Sequence, residues 1–496
     1  MKDLISLFFL HFVLGGILGW FSTETQPFIL GIIALLVFFY VLSLSLTSQN
    51  KSILFFGFFW GFSFVQNFWM KDLKVPAGSY FLDAFGLVLA LFFSLWIAIQ
   101  FIVAIRAASN LKGVKKILGF VGLWVLIEYH RSWFLCGYNF YTLSSFLEKL
   151  GCVDKVFAFT GVFGATFLLL LAALPPFFFP KKRGSYLGMF LILFILTIPQ
   201  FKKELAQIKV GVVRTQRDPW ANNDKIYQQK YLDWLQSVND LDVLVFSETS
   251  FPGKYFFCYP EGLTMEELLD CYKLEAAIVN LSFQKNIDVI VGHIYPGTNE
   301  KFLNVATLVH KGEIVGRYEK MRLMSVMENS WDFLPDSFKS ILDTGNFIPG
   351  DKKNLLKGKY LYGVNICYDD YFGSDSSAFS KKGADLIISM HNDIWIENDC
   401  FKYNHFRQSL LRSMETGLPT VRSSNGGLCG YALPDGECNF FSPDEGLMVF
   451  QIPIFKNLTI YPYLQDRFFL LLAFGVLIVA FRNRDEKNCI MNPRRD

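Results

Sequence analysis

At 496 residues, with 52% hydrophobic residues, 54 phenylalanines and only 18% charged residues, the chain is too apolar to be soluble along its whole length. Its net charge of +3 names no partner by itself, and no basic patch points to a nucleic acid. Nine cysteines without regular spacing argue against a disulfide framework, and His293, His310, His391 and His405 are scattered without metal-ligand spacing, so neither a metal nor a cofactor is expected.

The apolar runs come first. A membrane span needs roughly 20 mostly apolar residues. Candidates lie near residues 4–21, 27–46, 53–69, 80–106, 115–129, 157–179 and 186–200, with an eighth at 467–481. The first lacks a basic leader and a small-residue cleavage site, so it reads as an anchor rather than a signal peptide. If the N-terminus is cytoplasmic, fourteen lysines and arginines fall in the inner segments and five in the short outer loops. That bias places the N-terminus inside, residues 206–455 outside and the basic tail back inside. Phe68 and Trp69 read as an interfacial aromatic pair. Glu128 and Arg131 either serve a function in the membrane or simply pair at a span end.

From residue 206 the composition becomes that of a globular domain. QIKVGVVRT alternates like a strand, and DKIYQQKYLDWLQSV has helical spacing. LDVLVFSET is a buried strand run, TMEELLDCYKLEAAIVNLSFQ a second helix and IDVIVGHIY a strand. NVATLVHKGEIVGRYEK reads as a hairpin. KYLYGVNICYDD and ADLIISMHND are strands, FKYNHFRQSLLRSMETG is a helix closed by Gly417, and PTVRSS and GLCGYALPDGECNFF give further strands around a PDG turn. Strands and helices mixed this way predict a layered α/β domain. On the outer face Cys258 with Cys271, and Cys429 with Cys438, are candidate pairs.

Glu248, Lys320 and Cys367 each sit where a predicted strand ends. A thiolate is the reactive form of cysteine, a carboxylate can take its proton, and an ammonium can hold an oxyanion. The three therefore form an acyl-transfer set that needs no histidine. Singly, each has a plainer reading: a buried thiol, a solvated lysine, a strand-end acid. Trp395 and Phe401 read as core before lipid contact, and Asn392 and Asp393 as turn residues.

VFSETSFPG, GRYEKMRL and NICYDD resemble the glutamate loop, lysine segment and cysteine elbow of the nitrilase superfamily. NDIWIEND and HFRQSLLRSMETGLPTVRSSNGG resemble its next strand, helix and strand. GFFWGFSFVQNFWM, LIEYHRSWFLCGYNFYTL and FTGVFGATFLLLLAAL resemble membrane segments of its membrane-anchored branch, the apolipoprotein N-acyltransferases. The resemblance implies a multi-span α-helical membrane domain plus an α/β nitrilase-type α-β-β-α sandwich. Residues 1–203 would be transmembrane with about seven helices, 204–458 the catalytic domain, and 459–496 a last helix and basic tail.

The activity so implied moves an acyl chain from a phospholipid, through a thioester, to the α-amino group of the N-terminal diacylglyceryl-cysteine of a bacterial lipoprotein. The implied partners are the phospholipid donor, the diacylglyceryl-apolipoprotein acceptor and the membrane. The implied location is the bacterial inner membrane, with the catalytic domain periplasmic. By the same resemblance Glu248 is the general base, Lys320 the oxyanion-side cation and Cys367 the nucleophile. Glu328 is a second carboxylate that positions the lysine, Trp220 lies near the lipid-facing entrance, and Asp369 stands where a glutamate is usual. Asn392 and Trp395 belong to a supporting loop. The chain departs from the family in MSVME (324–328), which has no Pro or Gly, and in NDIWIEND, which has no Gly. Two other functions stay compatible: a membrane-tethered amidase acting on a small soluble amide, and a non-catalytic lipoprotein-binding descendant.

Overall fold

The structure, a computed structural model, describes residues 2–21, 28–48, 52–74, 80–134, 137, 140–148, 155–197, 202–218, 224–251, 257, 265–298, 301–324, 328, 347–441, 445–457 and 459–482. The N-terminal part is helical: α1 (Lys2–Phe21), α2 (Phe28–Thr47), α3 (Ser52–Asn67, continued by a tight turn Phe68–Asp72), α4 (Tyr80–Ser109), α5 (Val114–Arg131), the single turn α6 (Ser145–Glu148), α7 (Lys155–Phe178) and α8 (Leu187–Thr197). Every predicted span overlaps a helix, but among the described residues the expected eight reduce to six that are long and apolar enough to cross a membrane. α5 falls short because it carries Lys115, Lys116, Glu128 and Arg131, and α8 because it has 11 residues.

Glycines set how closely α1 and α3 cross. A Cβ on Gly61 would lie 1.9 Å from the Phe12 carbonyl oxygen, and one on Gly15 2.0 Å from that of Phe58. Gly15 and Gly19 on one helix, and Gly57 and Gly61 on the other, have the four-residue spacing that lets backbones touch in a membrane.

The second part holds β1 (Lys202–Arg214), α9 (Asp224–Ser237), β2 (Val243–Val245), α10 (Met265–Lys285), β3 (Asp288–Pro296), β4 (Phe302–His310), β5 (Glu313–Glu319), β6 (Leu356–Lys357), β7 (Leu361–Ile366), α11 (Gly373–Lys381), β8 (Leu386–Asn392), α12 (Asp399–Thr416), β9 (Thr420–Asn425), β10 (Cys429–Ala432), β11 (Cys438–Phe441) and β12 (Gly446–Asn457), followed by α13 (Tyr461–Phe481). They form two six-stranded sheets, ordered β12-β1-β2-β3-β4-β5 and β11-β10-β9-β8-β7-β6. Val210, Val245, Ile290 and Leu308 of the first sheet meet Val364, Ile388 and Val421 of the second in one dry layer. α9 and α10 cover the outer face of the first sheet through Tyr231, Leu235, Ile278 and Leu281. α11 and α12 lie on the second, and Gly363 allows the ring of Phe379 to sit directly on β7. This is the expected α-β-β-α sandwich.

α12 is not a solvent-facing outer helix. Its Phe401, Leu410, Leu411 and Met414 join the apolar core of the membrane helices. Trp69 is also core, 5% exposed and with its ring centroid 4.3 Å from that of Phe401, so the expected interfacial pair splits and only Phe68 is exposed. Cys429 and Cys438 do not pair with each other, because the β10–β11 register sets Cys429 opposite Phe441 and Cys438 opposite Ala432. Cys258 lies outside the described residues, so the other candidate pair does too.

Candidate active site

The carboxyl ends of β2, β5 and β7 converge on one cavity, and each delivers one residue. Glu248 follows β2, Lys320 follows β5 directly, and Cys367 is the first residue after β7. Cys367 adopts a left-handed conformation, φ +51°, at the strand-to-helix elbow. A side chain is seldom held there, and the strain aims the thiol out of the sheet. Asp369 fixes the elbow. It accepts hydrogen bonds from the Ile366 amide (3.1 Å), the Tyr318 hydroxyl (3.1 Å) and the Arg322 amide (2.8 Å), which ties β7 to the lysine segment. Burial lifts the Asp369 pKa to about 7 despite these donors.

Lys320 Nζ lies 3.0 Å from Glu248 Oε1 and 2.7 Å from Glu328 Oε1. The Met324 amide holds the other Glu328 oxygen at 2.8 Å. Asn304 Nδ2 donates to Glu248 Oε1 at 2.7 Å and lies 3.4 Å from Glu328 Oε1. These contacts occupy Oε1 of Glu248, and its Oε2 has no hydrogen-bond partner among the described residues. That oxygen is left to accept a proton.

Burial raises the pKa of Glu248; Lys320 opposes the rise and Glu328 adds to it. Burial alone would lower that of Lys320, but Glu248 and Glu328 outweigh it and hold the ammonium well above its ordinary value. Burial, reinforced by Glu248, keeps the Cys367 thiol well above its usual range, with Lys320 pulling the other way. The resting site therefore holds a neutral thiol beside a charged lysine, and its carboxylate is a stronger base than an ordinary glutamate.

The cavity measures about 500 Å³. Its polar end is the Glu248–Lys320–Cys367 cluster and its walls are apolar, including Phe251, Met324, Phe347, Trp395 and Phe401. Two wall residues, Leu73 and Phe140, come from the membrane part. Glu128 places the second of these. It is buried, lies 3.4 Å from Arg131 and accepts from Trp124 Nε1 (2.9 Å), Thr166 Oγ1 (2.8 Å) and the Leu143 amide (2.8 Å), which pins the loop that carries Phe140. The plainer reading of the Glu128–Arg131 pair is thus the structural one.

The loop after β8 reaches the same wall. Asn392 Nδ2 donates to Thr249 Oγ1 at 3.1 Å, beside Glu248, and its carbonyl oxygen accepts from Asn425 at 2.9 Å. The carbonyl of Trp395 accepts from the Lys74 amide at 2.6 Å, Leu73 bridges Ile396, and Asn398 donates to Asp72 at 2.8 Å. Trp220 lies outside the described residues.

Sequence reasoning missed Asn304, His391, His405 and the membrane-side wall. A two-residue turn at Lys311 and Gly312 would set Asn304 opposite Glu319. A bulge between Leu308 and Val309 shifts the pairing by one residue, and the Lys320 amide instead donates to the Asn304 carbonyl at 2.8 Å.

The carbon–nitrogen hydrolase family model matches residues 209–462, and the apolipoprotein N-acyltransferase N-terminal domain model matches residues 15–174. The chain belongs to the apolipoprotein N-acyltransferase branch of the carbon–nitrogen hydrolase family. As a member of that branch it is an acyltransferase. It is 26% identical to apolipoprotein N-acyltransferase 1 of Treponema denticola over 522 residues, covering 90% of each chain. It is 25% identical to the apolipoprotein N-acyltransferase of Geobacter metallireducens over 403 residues, covering 74% of each. A solved Saccharomyces cerevisiae member of branch 10 of the nitrilase superfamily is 17% identical and covers 53% of this chain and 94% of its own, with a TM-score of 0.39. The six apolar helices make this branch member a multi-pass membrane protein.

Proposed function

We propose that this acyltransferase moves an acyl chain from a phospholipid to the α-amino group of the N-terminal diacylglyceryl-cysteine of a bacterial lipoprotein, with Cys367 as nucleophile. Glu248 takes the thiol proton as Sγ attacks the ester carbonyl. Lys320 holds the oxyanion. The ester C–O bond breaks, Glu248 returns the proton to the departing lysophospholipid, and a thioester remains. The lipoprotein amine then attacks, Glu248 takes its proton, and the C–S bond breaks to give the amide and restore the thiol. Glu328 and Asn304 position the lysine and the base, and Asp369 positions the elbow. Asn392 and Trp395 shape the loop beside the site.

The observation that carries this reading is the mixed cavity. A Glu–Lys–Cys cluster sits at the end of an apolar chamber whose wall includes Leu73 and Phe140 from the membrane helices. A donor can keep its tails in the bilayer while its ester reaches Cys367. A small soluble amide has no use for that wall. The same reading puts the protein in the bacterial inner membrane with residues 204–458 on the periplasmic side.

The test is intact-mass spectrometry of the full chain in phospholipid micelles, beside Cys367→Ala. The expected result is a mass gain of one acyl chain, removed by hydroxylamine and absent from the variant. Folded wild-type protein that never gains this mass would overturn phospholipid as donor.

A further inference from the structure

The fold brings together two histidines that are far apart in sequence from the nucleophile. Cys367 Sγ and one ring nitrogen each of His391 and His405 lie within 4.8 Å of one another. Both imidazoles are buried, 0% and 3% exposed. Among the described residues each keeps one nitrogen with no hydrogen-bond partner: Nδ1 of His391 and Nε2 of His405.

The opposite nitrogen of each ring is held by a carboxylate. His405 Nδ1 donates to Asp393 Oδ1 at 2.7 Å, because a carboxylate only accepts. His391 Nε2 lies 2.6 Å from Ser389 Oγ and 3.0 Å from Asp370 Oδ2. Carboxylates that fix the tautomer and tilt of an imidazole, leaving its far lone pair free, are the usual outer partners of metal-binding histidines. A guanidinium also faces Nε2 of His391. Arg422 Nη1, 2.7 Å from the same Nε2, competes for it. A cation on Nδ1 would settle the tautomer in favour of donation to Asp370.

We propose that Cys367, His391 and His405 form a reversible site for a thiophilic divalent cation of the zinc class, which caps the nucleophile. One thiolate and two imidazoles suit zinc and exclude magnesium or calcium as the preferred ion. In a tetrahedral shell such ligand atoms sit roughly 3.3–3.6 Å apart, so a small side-chain rotation closes the site. Three protein ligands leave the fourth position for water, on the side where His405 lines the cavity. On binding, Cys367 releases its proton to solvent and each imidazole offers a lone pair. The loss of activity on capping rests on the nucleophile reading above; the binding itself does not.

The test titrates chelator-stripped, full-length protein in detergent micelles with Co²⁺. The expected result is one equivalent bound, with a near-ultraviolet sulfur-to-cobalt band and the visible intensity of a tetrahedral ion, both displaced by Zn²⁺. Cys367→Ser should lose the sulfur band, and His405→Gln should weaken binding by at least about tenfold. Wild-type protein alkylated at Cys367 should also lose the band, a control that needs no variant to fold. Folded wild-type protein without the band would overturn the proposal. So would a band that survives both the serine variant and alkylation, because another cysteine would then be its source. Acyl-enzyme formation measured in chelator reads the catalytic proposal separately, so the two can fail independently.

Discussion

At Glu248, two neighbours act on the base in opposite senses. Asn304 donates to it and lowers its pKa, whereas the charge of Glu328 raises it. The base works only when ionised, so activity falls as pH drops through a pKa above that of an ordinary glutamate. Asn304→Ala should move the acidic limb of the kcat/KM profile to higher pH and cost roughly ten- to a hundredfold in rate, as expected for losing a hydrogen bond to a charged group. Glu328→Gln should move the same limb to lower pH while also slowing the reaction, because Lys320 loses a partner. Parallel pH profiles of the two variants check this, and shifts of the same sign would refute the assignment. Glu248, Lys320 and Cys367 were legible as a candidate set because together their side-chain types suit acyl transfer and each follows a strand. Asn304 was not, because its place depends on a bulge that no turn residue announces.

At the scale of elements, the close crossing of α1 and α3 depends on residues without side chains. Gly61→Leu puts a side chain where a Cβ already meets the Phe12 carbonyl oxygen at 1.9 Å. The helices must part, at a cost of about 1–3 kcal/mol or more, read as a lower thermal unfolding midpoint in detergent. Glu128 acts on the loop that follows α5. Glu128→Ala removes the carboxylate that faces buried Arg131, with an expected loss of about 3–5 kcal/mol. It also frees the loop bearing Phe140, so acyl-enzyme formation should slow even in protein that remains folded. The strands with strong alternation or buried apolar runs were legible. β12 was passed over although it pairs with β1 along its length, and β6 and α11 were too short or too polar to signal.

For the whole molecule, the decisive feature is that the loop after β8 is fastened to the membrane part. Asp72 anchors Asn398, and the backbone of residues 73–74 pairs with that of residues 395–396. The Lys74–Glu397 ion pair is largely exposed on its acidic side, 68%, so breaking it should change stability little. Asp72→Ala should loosen the loop, seen as faster hydrogen exchange across residues 392–398 with the sandwich strands unchanged. Unchanged exchange there would mean that packing of Trp395 and Phe401 alone holds the loop. Orientation is testable at the same scale: protease added to intact spheroplasts should cut within residues 204–458, and protease added to inside-out vesicles should not.

The sequence by itself determined the classes of element and their chemistry. Apolar run length marked the helices, periods of two and of three to four separated strands from helices, and Glu248, Lys320 and Cys367 stood out as a candidate set at three strand ends. Those signals are local, each written in a residue and its near neighbours. Only the tertiary structure decided what meets what: Asn304 beside the base, Leu73 and Phe140 in the cavity wall, and α12 against membrane helices rather than solvent. It also decided that His391 and His405 close on Cys367. Such contacts are set by sheet order, strand register and the docking of the two parts, which join residues from tens to hundreds of positions apart and leave no trace in spacing along the chain.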